Sequence, residues 1–559
     1  MLIDEKKLEL FRTADTYAQM RREAEEIYAG FDDEIPALKF QDFMDFKWTG
    51  GRALFEEKYF MRRKRLNFTA LICLLYQRDE DMEKLHDIIW AICDEYTWSL
   101  PAHINSEWQW ENAEINIDLF AAETGFALSE ILEIFDEKLD DYLKARVRRE
   151  IKRRIIDSFL HNHYHWETQE MNWAAVCGGS VGACFLYGFQ EFFPLVKDRL
   201  LKVMDTFLLG FGKDGCCREG AAYWNYGFGY FVYFADLLKT YTNGQIDLFK
   251  KEIVKKTACF QQRVFLNANS IISFSDCGDT ASVLPGLTSY LKKIYADEMK
   301  IPEGEYDLLN HWDNACRFAS FIRNFIWTSP ELLEQKEEPE TYYYYPDAQW
   351  YYRRIPHLVL AAKGGHNDEP HNHNDLGNFI LADDQSQVIC DLGSGVYNRA
   401  YFSDDTRYLL PNTASFGHSV PLIDGEVQQF GKERAAEVLC TEENRFLIDI
   451  STAYDVPELE QCSREFLVLE DIKLTDSFRF GSGEHEIIER FIFNMRPTIE
   501  GKKIIAAGLQ MCIETDQAEI SCHEETTTKN NRKYYAVDCK FVCGEGAVFS
   551  VRFSPSAKE

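Results

Sequence analysis

The spacing of apolar residues changes once along this chain, near residue 335, and that change limits the folds open to it. Before it, apolar side chains recur every three or four positions, as in 85–93, 119–128, 131–135, 195–204 and 230–238. Such spacing lines one face of a helix. Pro194 opens one run, and Gly-, Asn- and Asp-containing turns at 210–215 and 242–244 separate others. Many helices of similar length joined by short turns predict stacked antiparallel pairs. The absence of a strict repeat argues against a signature-bearing solenoid. After a polar, proline-containing connector at 334–340, β-rich runs follow at 445–450, 464–472, 485–493, 534–542 and 547–553. Turn residues divide them, as in antiparallel sheets. The expected organisation is an all-helical domain over 1–335 and an antiparallel β-sandwich over 336–559, because helices followed by strands form separate layers.

Charge narrows the function classes. The formal net charge is −31, the opposite of a general nucleic-acid footprint. An anionic substrate remains open, because a local basic cleft can exist on an acidic protein. Aromatic residues reach 14%, which suits a large core or platforms for sugar rings. The first twenty residues are charged and lack the apolar stretch of a signal peptide, and no run approaches the ~20 apolar residues of a membrane span. The 16 cysteines are scattered, many among apolar neighbours, and read as reduced core thiols. These features lead to the expectation of a cytoplasmic protein without a membrane partner. A homo-oligomer is compatible with the sequence.

Three segments are candidates for chemistry. In the first, His371-Asn-His373-Asn-Asp375 is followed by Asp391 and by His418. If 378–382 and 387–390 are paired strands, His373 and Asp391 lie at neighbouring strand ends. With His418 they make a His, carboxylate, His set that suits Zn²⁺; the alternative is a loop of hydrogen-bonding surface histidines. In the second, Asp214-Gly215 leads to Arg218-Glu219-Gly220 and then to Tyr223-Trp224-Asn-Tyr226-Gly227. Tyr223 and Tyr226 share a face if helical. Together with Glu219, Trp224 and Arg218 they fit a sugar subsite, and the bland reading is an aromatic core stripe. In the third, Asn172-Trp173 opens a Gly-rich helix, where Asn172 is either an N-cap or an amide offered to a ligand. His161, His163 and His165 alternate nearby and read better as surface histidines than as metal ligands.

Taken in order, NW before a Gly-rich helix, DG…EGxxYWxYG, then HxHxD…DxG…H before Asp424-Gly425 resemble the heparinase II/III-like polysaccharide lyase family. The resemblance spans most of the chain. It implies an incomplete (α/α) toroid followed by an antiparallel β-sandwich, and β-elimination on an acidic uronate-containing polysaccharide or oligosaccharide. It implies Tyr226 as the catalytic tyrosine, with Tyr223 the alternative. It implies Asn172 as a neutraliser of the substrate carboxylate and His371 as the histidine of the reaction centre. His373, Asp391 and His418 match the zinc ligands of those members that hold a metal, and the expected Zn²⁺ is structural. Some members carry a histidine where this chain has Met171.

Elimination removes the weakly acidic C5 proton of a uronate and expels the C4 oxygen. Negative charge grows on the carboxylate, so donors must face it. A tyrosine acts as base only if cations stabilise its phenolate, for which Arg218, Arg353, Arg354 and Lys363 are candidates. Otherwise it is the general acid, with a histidine as base. A glycoside hydrolase would instead need two flanking carboxylates, for which Glu219 and Asp214 are the candidates. A glycan-binding protein would keep the aromatics without needing His371 or Tyr226.

Overall fold

The structure is a computed structural model describing residues 5–32, 34–334, 337–398, 400–527, 529 and 531–556. The expected domain boundary, between 335 and 336, lies outside the described residues. Every periodic run named above folds as expected. Helices cover Asp79–Cys93, Leu119–Ile134, Phe193–Leu209 and Gly229–Tyr241. Asp118 starts one of them by accepting from Ala121 N at 2.8 Å, and Pro194 starts another where its missing N–H costs nothing.

At the centre lies Asn172–Gly188, apolar on nearly all sides and mostly buried. It packs against Leu119–Ile134, Phe193–Leu209 and Gly229–Tyr241. Its glycines permit that crowding. A Cβ on Gly182 would meet the Phe234 ring at 2.3 Å, and one on Gly178 would meet Val203 Cγ1 at 2.7 Å. One feature differs from the expectation of a purely helical first half: a short antiparallel pair, Phe265–Asn267 with Ser270–Ile271. It leads into the loop that carries Asp276.

Among the described residues, the second half forms two large antiparallel sheets, of eight and nine strands, and a small pair, His366–Asn367 with Gly431–Ala435. Arg445–Asp449, Leu459–Val468, Ile472–Phe480 and Gly546–Pro555 are successive neighbours in one sheet. The other runs through Lys533–Cys543, His485–Phe493, Gln387–Ile389, Phe379–Ala382 and Leu358–Lys363. Ile472–Phe480 alternates buried and less buried positions, as a strand with one face on the core should. Leu358–Lys363 is buried throughout. Leu358 and Leu360 face the second sheet, whereas Val359 and Ala361 join the core of the helical half. Burial on both faces explains its unbroken apolar run, and it places the loops at the strand ends directly against the helices.

Candidate active site

A cleft of about 1340 Å³ between the helical half and the β-half is lined by Asn172, Tyr223, Tyr226 and His371. Segments some 200 residues apart thus converge. Tyr226 lies in a π-helical turn, Trp224–Phe228, that interrupts the helical run. Such wide turns recur at functional sites. Its hydroxyl is buried with Glu123 and Arg317 as polar neighbours, and makes no hydrogen bond of good geometry among the described residues. The Arg317 guanidinium lies over its ring, 3.9 Å from the centroid, and Arg317 Nε donates to Glu123 at 3.1 Å. Burial, then the Glu123 charge, push the phenol well above its ordinary pKa, against the pull of Arg317. Burial raises Glu123 to about 7, with Arg317 opposing.

Tyr223 stacks on His371, with centroids 4.4 Å apart, and its hydroxyl is 2.9 Å from that of Tyr397. His371 Nδ1 lies 2.8 Å from Asp276 Oδ2. A carboxylate only accepts, so Nδ1 carries a proton, and in the neutral imidazole the lone pair is then on Nε2. That atom lies 3.7 Å from Glu219 Oε2. Burial draws Asp276 upward, but hydrogen bonds from His371 and His373 overcome it and hold the group well below the usual carboxylate range. Burial raises Glu219, with His371 opposing, and its Oε2 has no hydrogen bond.

Several expectations need correction. Asn172 is the first helical residue, and Met171 occupies the N-cap position without a side-chain cap. The Asn172 backbone N–H reaches Glu219 Oε1 at 3.4 Å, while its Oδ1 is buried without a partner. Trp224 is buried and donates to the Thr257 carbonyl at 2.7 Å, so it offers no platform to a sugar. Arg218 does not line the cleft; it is bound to Glu369 at 2.9 and 3.1 Å. Lys363 pairs with Asp375, Arg353 with Glu443, and Arg354 bonds the Leu266 carbonyl. The cation beside a tyrosine is Arg317 instead. Asp214 accepts from three backbone amides, of Cys216, Asp347 and Ala348. It lines no part of the cleft, so a Glu219–Asp214 hydrolytic pair does not form. His163 points outward and His161 bonds the Asp157 carbonyl; His165 alone of that group lines the cleft.

His373, Asp391 and His418 come together as expected, and Asp375 joins them. Their ligand atoms lie within 4.8 Å of one another, all buried. His373 Nε2 is 3.0 Å from Asp276 Oδ1, which leaves Nδ1 as a buried lone pair without a partner. His418 Nε2 donates to the Asn412 carbonyl at 3.1 Å, which leaves its Nδ1 facing Asp391 at 3.3 Å and Asp375 at 3.6 Å. Two imidazole lone pairs and two carboxylates, the histidines oriented by outer acceptors, fit a Zn²⁺-type donor set. Strands Phe379–Ala382 and Gln387–Ile389 pair antiparallel and carry two of these loops.

Asp276, Arg317, Glu123 and Tyr397 carried no motif signal, because each reaches the site from a distant loop or helix. Asp375 stood inside the HxHxD run, where its spacing from His373 was the available clue.

No family model matches the sequence, and no curated protein matches it in sequence. Solved structures do match. A heparinase III structure aligns over 99% of this chain and 92% of its own, with a TM-score of 0.64 at 13% identity. The chain has the fold of the heparinase-like polysaccharide lyases. A mutant heparan sulfate lyase from Pedobacter heparinus covers 97% of this chain and 83% of its own, with a TM-score of 0.63 at 12% identity. A chondroitin AC lyase from Streptomyces coelicolor A3, solved with chondroitin sulphate, gives 0.55 at 9% identity, over 99% and 82%. The architecture is therefore the (α/α) toroid followed by antiparallel β-sheets.

Proposed function

We propose that this chain cleaves uronate-containing glycans by β-elimination, with His371 as base and Tyr226 as acid. The observation that carries the reading is the His371–Asp276 pair. It leaves an imidazole lone pair in the cleft that is also lined by Tyr226, a phenol that burial keeps protonated. His371 Nε2 takes the C5 proton. The released pair forms the C4–C5 double bond as the C4–O bond breaks, and Tyr226 gives its proton to the departing oxygen. The imidazolium then returns a proton to Tyr226 through solvent, and no water is consumed. Arg317 over the ring stabilises the transient phenolate. The Asn172 amide and Glu219, whose carboxyl burial makes easier to protonate, face the substrate carboxylate, where charge accumulates. Tyr223 is assigned to position His371, because its hydroxyl is already engaged with Tyr397.

His373, Asp375, Asp391 and His418 would hold Zn²⁺. The ion would supply a positive charge that ties these loops together. The structural neighbours include a heparan sulfate lyase and a chondroitin AC lyase solved with chondroitin sulphate, so an acidic glycan of that class is the proposed substrate. The test is ultraviolet absorbance during incubation with a panel of uronate glycans and their oligomers. Elimination creates an absorbing double bond conjugated to the carboxylate. New reducing ends without that absorbance would establish hydrolysis instead.

A further inference from the structure

A charged group stands in the core between the two large sheets. Arg464 is fully buried. It lies on Leu459–Val468 of the eight-stranded sheet, opposite Asp476 on Ile472–Phe480. Its Nε donates to Asp476 Oδ1 and Oδ2 at 2.9 and 3.1 Å, and its Nη2 to Asp476 Oδ2 at 2.7 Å and Glu489 Oε2 at 3.0 Å. Glu489 belongs to the nine-stranded sheet. Both N–H groups of Nη1 leave this trio. They reach the Gly377 carbonyl at 2.9 Å and the Ser419 carbonyl at 2.6 Å. Gly377 follows Asp375 by two residues, and Ser419 follows His418 directly. Asn378 ties in a third loop. Its Nδ2 donates to Asp391 Oδ2 at 2.8 Å, and its Oδ1 accepts from the Ser419 N–H at 3.0 Å.

Stability alone gives little reason for this arrangement. Apolar residues of similar volume commonly match or surpass a buried ion trio, and Arg464 already has apolar neighbours such as the Phe379 ring, 5.9 Å from its Cζ. What an apolar side chain lacks is a planar fork that fixes two carbonyls at once. We infer that Arg464 is a positioning residue that clamps the loops of Asp375 and His418 at the separation a metal ion needs. It touches neither the ion nor the substrate, and acts through the backbone beside two ligands. The inference rests on the metal reading of His373, Asp375, Asp391 and His418, and not on the elimination chemistry.

The experiment measures the zinc affinity of the full chain by competition with a chromophoric chelator, alongside denaturant melts of the metal-free protein. Arg464→Lys keeps a charge beside Asp476 but loses the fork. A triple variant, Arg464→Met with Asp476→Leu and Glu489→Met, removes the whole trio and leaves no buried charge unpaired. Each should bind zinc about 10–100-fold more weakly, the loss typical of removing an outer partner of a metal ligand. The triple variant should keep the metal-free melting midpoint of the wild type, which separates a clamp on the metal loops from general support of the fold. Unchanged zinc affinity in the folded variants overturns the clamp and leaves the metal site standing. Affinity that falls only in step with metal-free stability overturns the clamp as well. A wild-type protein that binds no zinc overturns the metal reading and the clamp with it. If one variant unfolds, the other decides; unfolding of both overturns the inference, because Arg464 then serves the fold as a whole.

Discussion

Replacing Asp276 with Asn probes the proposed mechanism at its most connected atom pair. Asp276 is fully buried and accepts from His371 Nδ1 at 2.8 Å, from His373 Nε2 at 3.0 Å, from Tyr401 Oη and, at 3.4 Å, from Arg407 Nη2. Asparagine keeps the shape but offers one acceptor and one donor. The donor end must face a ring nitrogen that now accepts. If that ring is His371, its proton moves to Nε2 and the base is lost; if it is His373, the proton moves to Nδ1, the lone pair offered to the metal. A positioned base contributes on the order of 10²–10⁴ in rate. We therefore expect kcat to fall about 10³-fold, or about 4 kcal/mol in the barrier. KM should change less than about threefold, since Asp276 does not line the cleft. The assay is the initial rate of unsaturated product, alongside bound zinc per chain by atomic absorption. A variant that folds, keeps its kcat within about threefold and retains its metal would refute the argument that Asp276 sets the two imidazole tautomers.

Tyr226→Phe should lower kcat by at least about a hundredfold, and Tyr223→Phe, which loses only the contact to Tyr397, by about tenfold; the reverse order in steady-state rates would move the acid to Tyr223. Glu219→Gln should keep most of the activity at neutral pH, because burial already favours the uncharged carboxyl; a loss above about a hundredfold would show that its charge is needed. Chelation should lower the melting temperature in a metal-dependent way, by an amount equivalent to about 2.7 kcal/mol when free Zn²⁺ had been at a hundred times its Kd, and zinc but not magnesium should restore it. Glu123 is raised from 4.5 to about 7 by burial, so the folded state holds its proton more tightly than the unfolded chain. Stability is then fully present below pH 4.5 and falls as pH rises to about 7, by roughly 3 kcal/mol at about 1.4 kcal/mol per unit. Denaturant melts of the wild type against Glu123→Gln should show that slope only in the wild type.

The helix-to-strand change, the individual helices and strands, and the tyrosine, asparagine and histidine segments were all legible in the sequence, because each is a local pattern. Apolar period follows directly from backbone geometry, and HxHxD or YWxY places its residues within one loop or turn. The charge environment was not legible in the same way. Arg218, Lys363, Arg353 and Arg354 were near the tyrosines or histidines in sequence, yet each is drawn to another partner. Arg317, some 90 residues from Tyr226, is the cation that reaches its ring. Trp224 lies within the tyrosine motif but turns into the core, because residues one and two positions apart on a helical turn do not share a face.

By itself, then, the sequence determined the two kinds of layer, their order, and which loops hold polar groups able to do chemistry. Only the tertiary structure decided which of those groups are buried, which are already paired, and that Asp276 joins His371 to His373. Pairing and burial depend on segments brought together by the packing of the β-half against the helices, and such long-range contacts leave no period or spacing in the chain to be read.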